Sequence, residues 1–294
     1  MEVFMTEVPR IDMLIPPEMA AKAEDAGVTK ASMGWRNMFL LSILAGAFIA
    51  LGAVFATTVT AGGSELPFGV VRLLGGLAFC LGLILVVIGG AELFTGNNLI
   101  IMAWSSHKIS TRQLLRNWGI VYLGNLTGAL MTAVLMLYSE NYLFGNCLVG
   151  LNILNIASAK CSLGIIQAFV LGIMCNALVC MAVWICYSAR STTDKIISII
   201  FPISTFVAAG FEHCVANMYF IPLGIMLKQR ASNDFWEIIN KGVDSYSLLT
   251  WKNFIFVNLL PVTIGNIVGG SLLVGLVYWF VYIRRARKSP FSAD

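Results

Sequence analysis

The sequence predicts an all-α membrane protein of six transmembrane helices in two inverted three-helix repeats, with spans 2 and 5 broken. Three observations carry this. Of 294 residues, 58% are hydrophobic and 12% are charged, and the mean hydropathy is +0.83; a soluble domain this apolar would have nothing polar enough to cover its surface. Six apolar runs are long enough to cross a hydrocarbon core of about 30 Å. Two of those runs are interrupted near the middle by a glutamate set in the same local pattern.

Residues 1–36 are polar and acidic on balance, and 16–27 place prolines before and a glycine after a helix-forming core, which reads as an amphipathic surface helix. The segment lacks the basic start and apolar centre of a cleavable signal peptide. Residues 38–63 give span 1. Span 2 begins at Leu73, is uncharged to Ala91, meets Glu92, and is neutral again to Ser106. Residues 118–139 give span 3. Residues 140–160 are uncharged between their ends but hold Asn141, Asn146, Asn152, Asn155 and two glycines, and read as a packed extramembrane loop. Residues 161–189 give span 4.

Span 5, residues 196–227, carries no charge except Glu212, with His213 beside it. Its first part, 196–211, would make a helix of roughly 24 Å, too short to cross alone, so two half-length pieces meet at a polar joint. Ionisable groups at that depth tend to mark a substrate or proton pathway. Residues 253–283 give span 6, which ends in a basic run. The domain plan is thus a cytoplasmic N-terminal helix over 1–36, a six-span domain over 37–284 with repeats of about 37–139 and 161–284, and a cytoplasmic basic tail over 285–294. With both termini on one side, that side holds twelve Lys and Arg near the membrane against six opposite (Arg72, Lys160, Lys228, Arg230, Lys241, Lys252), so the positive-inside rule puts both termini in the cytoplasm.

The repeat is explicit in the residues. Gly90-Ala91-Glu92-Leu93-Phe94-Thr95-Gly96-Asn97 and Gly210-Phe211-Glu212-His213-Cys214-Val215-Ala216-Asn217 share G-x-E-x-x-x-x-N, 120 residues apart. Gly124-Asn125-Leu126-Thr127-Gly128 and Gly265-Asn266-Ile267-Val268-Gly269 share G-N-x-x-G. Three spans per half is odd, so the halves are inverted, the plan of many transporters and channels, with the path where the breaks meet. The glycines of G-N-x-x-G suit close helix contacts. Packing gives no reason for a membrane glutamate at equivalent places, so Glu92 and Glu212 are assigned to bracing the broken backbone, Glu212 by accepting amide hydrogens.

Five of the seven cysteines lie inside apolar runs and read as small buried hydrophobes; Cys147 and Cys161 share the predicted loop and are candidates to pair on an oxidising side. No metal-ligand spacing, no cofactor motif and no nucleophile-base pair occurs, which removes a metal centre and a membrane hydrolase from consideration. The net charge of +4 falls at membrane edges and gives no reason to expect nucleic acid. A water or small neutral solute channel is the alternative from another class; it predicts Asn-Pro-Ala at the joints, which read Glu-Leu-Phe-Thr and Glu-His-Cys-Val.

At these joints the chain resembles the formate/nitrite transporter family, over about residues 16–284. The start Leu14-Ile15-Pro16-Pro17 and the span 6 wording Pro261-Val262-Thr263-Ile264-Gly265-Asn266 look most like its formate channel branch. The resemblance implies a homopentamer of aquaporin-like protomers in the lipid bilayer of the cell (inner) membrane. Each protomer would pass small monovalent anions, with formate the leading expectation and nitrite or hydrosulfide the alternatives. Matched by position, His213 falls on the family's central pore histidine, Thr95 on the threonine facing it, Lys160 on a lysine near the outer vestibule, and Asn176 and Asn217 on pore-side asparagines. Phe79, Leu83, Phe94 and Phe206 fall on apolar constrictions either side of the histidine. Two positions depart: Cys214 stands where the family often has Ser, and Gly96-Asn97 where formate channels often have Ser-Thr. An imidazole between two dry slits would lend a proton to a passing anion and recover it, so transport is expected to be pH-dependent.

Overall fold

The computed structural model describes residues 13–284, which fold entirely as helices and connecting turns. The parts of the predicted N-terminal segment and basic tail at 1–12 and 285–294 lie outside the described residues. In order come α1 (Pro16–Ser32), α2 (Trp35–Thr60) and α3 (Phe68–Gly89), then a tight turn Gly96–Ile100 leading into α4 (Ile101–Ser105), and α5 (Thr111–Tyr138). The second half runs α6 (Leu148–Cys161), α7 (Ile165–Ser188), α8 (Thr192–Ala209), α9 (Cys214–Arg230), the short α10 (Asn233–Ile238) and α11 (residues 251–284). Among the described residues, six stretches are long and apolar enough to cross a membrane: α2, α3, α5, α7, α8 and the segment Val243–Arg284 that contains α11.

Helix starts follow local chemistry. Ser110 Oγ accepts from Gln113 N at 3.2 Å while Gln113 Oε1 accepts from Ser110 N at 2.8 Å, so two of the amides left over at the start of α5 are satisfied. Ser191 and Asp194 do the same for α8. The glycines of G-N-x-x-G lie where helices cross. A Cβ on Gly124 or Gly128 would strike Ser42 and Ile43 of α2, and one on Gly265 or Gly269 would strike Phe169 and Ile173 of α7. Backbones so close need residues without side chains. Large apolar side chains such as Ile166, Phe201 and Leu135 face outward, as a bilayer or a neighbouring protomer requires.

The stretch read as a loop over 140–160 contains the helix α6 instead. Val149, Ile153, Leu154 and Ala157 recur at helical spacing and are buried, while Asn152 and Asn155 occupy the polar face; Asn152 Nδ2 donates to Thr57 O at 2.8 Å. The asparagines that suggested a loop are the wet side of an amphipathic helix. Cys147 and Cys161 stand at its two ends, about 20 Å apart at helical rise, and both are free thiols. A disulfide needs Cα atoms within about 7 Å, so the pairing does not occur in this fold.

Candidate functional site

Each break is made the same way. α3 stops at Gly90 (φ 70°) and α8 at Gly210 (φ 77°), left-handed positions that glycine takes without steric cost. The next amide in each case folds back, Ala91 N to Val86 O at 3.0 Å and Phe211 N to Phe206 O at 2.9 Å, closing the helix end. The exposed backbone beyond is held by an asparagine from a neighbouring helix. Asn125 Nδ2 donates to Ser42 O (2.8 Å) and Glu92 O (2.9 Å), and its Oδ1 accepts from Phe94 N (2.9 Å). Asn266 repeats this with Gly172 O (2.8 Å), Glu212 O (2.9 Å) and Cys214 N (2.9 Å). The splint is therefore the asparagine of G-N-x-x-G. The Glu212 carboxylate accepts side-chain amides, from Asn217 and Asn258, rather than the backbone amides of the break.

The two carboxylates instead close buried ionic locks. Lys30 Nζ lies 2.7 Å from Glu92 Oε1 and Lys160 Nζ 2.7 Å from Glu212 Oε1. Asn97 Nδ2 donates to Glu92 Oε2 at 2.7 Å and to Asn117 Oδ1 at 3.0 Å. Asn217 Nδ2 does so to Glu212 Oε2 at 2.6 Å and to Asn258 Oδ1 at 2.7 Å. Asn117 Nδ2 then returns to Lys30 O, and Asn258 Nδ2 to Lys160 O. Lys160, expected as a loop lysine at the vestibule, sits in the last turn of α6 with only 15% of its side chain exposed. Its counterpart Lys30 had no place in the sequence reading. The signal was available, because Lys30-Ala31-Ser32-Met33-Gly34 and Lys160-Cys161-Ser162-Leu163-Gly164 share K-x-S-x-G. Each repeat thus begins one helix earlier than 37 and 161: α1 is the mate of α6.

Between the locks, His213 is the N-cap of α9. Its Nδ1 accepts from Ala216 N at 3.1 Å, and its Nε2 is 2.9 Å from Thr95 Oγ1 in the other repeat. A backbone amide only donates, so Nδ1 keeps its lone pair, the neutral ring carries hydrogen on Nε2, and Nε2–H donates to the threonine. The ring stacks on Phe206 at 5.9 Å, and Phe206 meets Phe79 edge-on at 5.7 Å.

Two cavities approach this point from opposite ends of α3. One, of about 460 Å³, is lined by Arg72, Phe79, Lys160, Phe206, Glu212, His213 and Phe220. The other, of about 640 Å³, is lined by Lys22, Lys30, Leu83, Glu92, Leu93 and Asn97. Phe79 and Leu83, four residues or about 6 Å apart along α3, face one cavity each, so the septum between them is thin and apolar. Within the second cavity the Lys22 ammonium is held below its usual range by burial and then by Lys195 and Arg190.

Four expected residues, Thr95, Phe94, Asn217 and Asn176, line neither cavity; Thr95 reaches the first only through its bond to His213. Phe94 packs edge-on against Tyr122 at 5.0 Å and Trp118 at 6.3 Å and is an anchor of the break. Successive residues of an extended joint point opposite ways, so Leu93 takes the cavity side; the repeat aligns Leu93 with His213 and Phe94 with the buried Cys214, which the sequence already showed. Asn217 belongs to the lock. Asn176 is buried and bonds Thr95 O, Asn98 Oδ1 and Asn266 O, joining the two repeats.

The family model described as Formate/nitrite transporter matches residues 17–280. Formate channel FocA of Escherichia coli (strain K12) is 48% identical over 273 residues, 93% of this chain and 96% of that protein. Formate channel FocA of Haemophilus influenzae (strain ATCC 51907 / DSM 11121 / KW20 / Rd) is 44% identical over 263 residues, 90% of this chain and 93% of that one. A solved "Pentameric formate channel with formate bound" superposes with a TM-score of 0.81 at 48% identity, covering 84% of this chain and 97% of its own. An "FNT family ion channel" does so with 0.76 at 28% identity, covering 90% and 98%.

Proposed function

The chain belongs to the formate/nitrite transporter family, and from that premise we propose that it is a pH-dependent formate channel in which His213 exchanges a proton with the substrate. It is a multi-pass membrane protein whose relatives are named channels. Five copies assemble, as the similar solved channel does, with a separate pore in each protomer and both termini on the cytoplasmic side of the inner membrane.

The observation that carries the reading is His213, bonded to Thr95 of the other repeat, on the wall of one cavity, with the second cavity on the far side of Phe79 and Leu83. An anion at the septum loses its water, and the lysines at the two breaks, Lys30 and Lys160, are already paired with carboxylates, so crossing as the charged species is costly. Nε2–H is the donor it meets. Full transfer from the neutral ring would leave an imidazolate, so the lending form is the imidazolium: Nε2 gives its proton to a carboxylate oxygen, the neutral acid crosses, and the proton returns when the acid ionises. Forming the imidazolium puts hydrogen on Nδ1 and removes the acceptor of Ala216 N–H. Proton lending is thereby coupled to the first turn of α9. An arriving anion favours the cationic ring and offsets that lost bond.

The test is flux of formate, nitrite and hydrosulfide into proteoliposomes of the purified protein over a range of pH. Formate is expected to move fastest and faster at mildly acid pH. Faster nitrite or hydrosulfide flux would reassign the substrate, and pH-independent flux would end the proton-exchange reading.

A further inference from the structure

We propose that Arg72 forms a capture site for a planar monovalent oxyanion at the mouth on the α6 side; the idea rests on the channel reading above. Arg72 stands in the first turns of α3 and lines the same cavity as Lys160 and His213. Its Nε donates to Ala208 O at 2.9 Å and its Nη2 to Val207 O at 2.5 Å. These are last-turn carbonyls of α8, where a helix end carries partial negative charge and a cation is favoured. Nη2 also approaches Gly210, at 3.2 Å from where a Cβ would stand, so the break itself leaves room for it.

The charges lining this cavity do not balance. Arg72 and Lys160 are its cations and Glu212 its carboxylate, and Glu212 is taken up by Lys160, Asn217 and Asn258. Arg72 is held by helix carbonyls and the face of Phe68, 6.0 Å away, with Glu212 acting on it at longer range and already bonded to Lys160. A guanidinium has five N–H donors in a flat fork suited to a carboxylate or nitrite, and two serve α8. The remainder belong to a group already oriented and immobilised, which an anion reaches before the lock and the histidine.

Flux through a passive pore obeys a constraint that makes this testable. At equal pH and zero membrane potential the low-concentration permeability is the same in both directions, so a one-sided site shows itself in which parameter changes. For Arg72→Met, loading from the α6-side mouth is expected to raise the half-saturating concentration about tenfold with little change in maximal rate, as loss of a charge-assisted bidentate contact implies. Loading from the other mouth should lower the maximal rate by a similar factor with half-saturation unchanged. Arg72→Lys, which keeps the charge without the fork, should fall between. Formate and nitrite are run in parallel on oriented vesicles. A fall in maximal rate from both sides with half-saturation unchanged would reduce Arg72 to a helix cap and overturn the proposal, as would variants that behave like the wild type. Wild-type vesicles that carry nitrite but not formate would sink the formate reading while the nitrite arm still decides the role of Arg72.

Discussion

The Thr95 hydroxyl and the His213 imidazole meet at 2.9 Å, and they come from opposite repeats. Neither half of the molecule holds this pair alone. Its geometry depends on two glycines that end α3 and α8 and on two asparagines, Asn125 and Asn266, that catch the backbone beyond them.

His213→Phe removes the exchangeable proton while keeping an aromatic ring against Phe206. Formate flux in proteoliposomes should lose its acid stimulation in this variant. A wild-type pH profile would sink proton lending.

Glu212→Gln and Glu92→Gln each strand a lysine beside a broken helix. Removing one partner of a buried pair costs about 3–5 kcal/mol. Lys160 is 15% exposed and Lys30 29%, so Glu212→Gln should lower the thermal midpoint in detergent more than Glu92→Gln. Adding Lys160→Met to Glu212→Gln should recover part of the loss; no recovery would mean that the carboxylate acts mainly through Asn217 and Asn258.

Phe79→Ala and Phe94→Ala separate a cavity wall from an anchor. Phe79→Ala should thin the septum further and raise acetate flux relative to formate. Phe94→Ala should leave that ratio alone and destabilise by about 3–5 kcal/mol, as loss of a buried ring does. The ratio and the melting curve of each variant check both statements.

Asn266→Ala leaves Cys214 N–H without its acceptor and takes the side-chain donor from Glu212 O and Gly172 O. At about 1–3 kcal/mol for each buried group left unsatisfied, this should cost both stability and flux. Asn125→Ala should do the same at the other break. Full flux with an unaltered melting curve would show that the breaks hold without their splints.

The spans were legible because a bilayer demands long apolar runs, and the breaks because a glutamate inside such a run has no packing reason. The helix α6 was not, because its asparagines at 152 and 155 look like loop chemistry until the buried face at 149, 153, 154 and 157 is set beside them. Lys30 was missed because it lies in a short helix outside any span, where a lysine is ordinary. Phe94 was assigned to a constriction by its position in the family resemblance, while parity along an extended joint turns Leu93, not Phe94, to the cavity. Asn125 and Asn266 were read through the glycines beside them, and hydrogen bonding to backbone leaves little trace in composition.

The match of α1 to α6 changes where this polypeptide can be divided. A cut just before α2 would remove Lys30 and open one lock, so the first helix is no detachable preface. A cut between α5 and α6 falls instead on a seam: residues 13–143 carry Lys30, Glu92, Asn97, Asn117 and Asn125, and residues 144–284 carry Lys160, Glu212, Asn217, Asn258 and Asn266. Two polypeptides made separately would each bring a complete lock and splint. What they would have to find in each other is Thr95 for His213, and only the reunited pair would conduct.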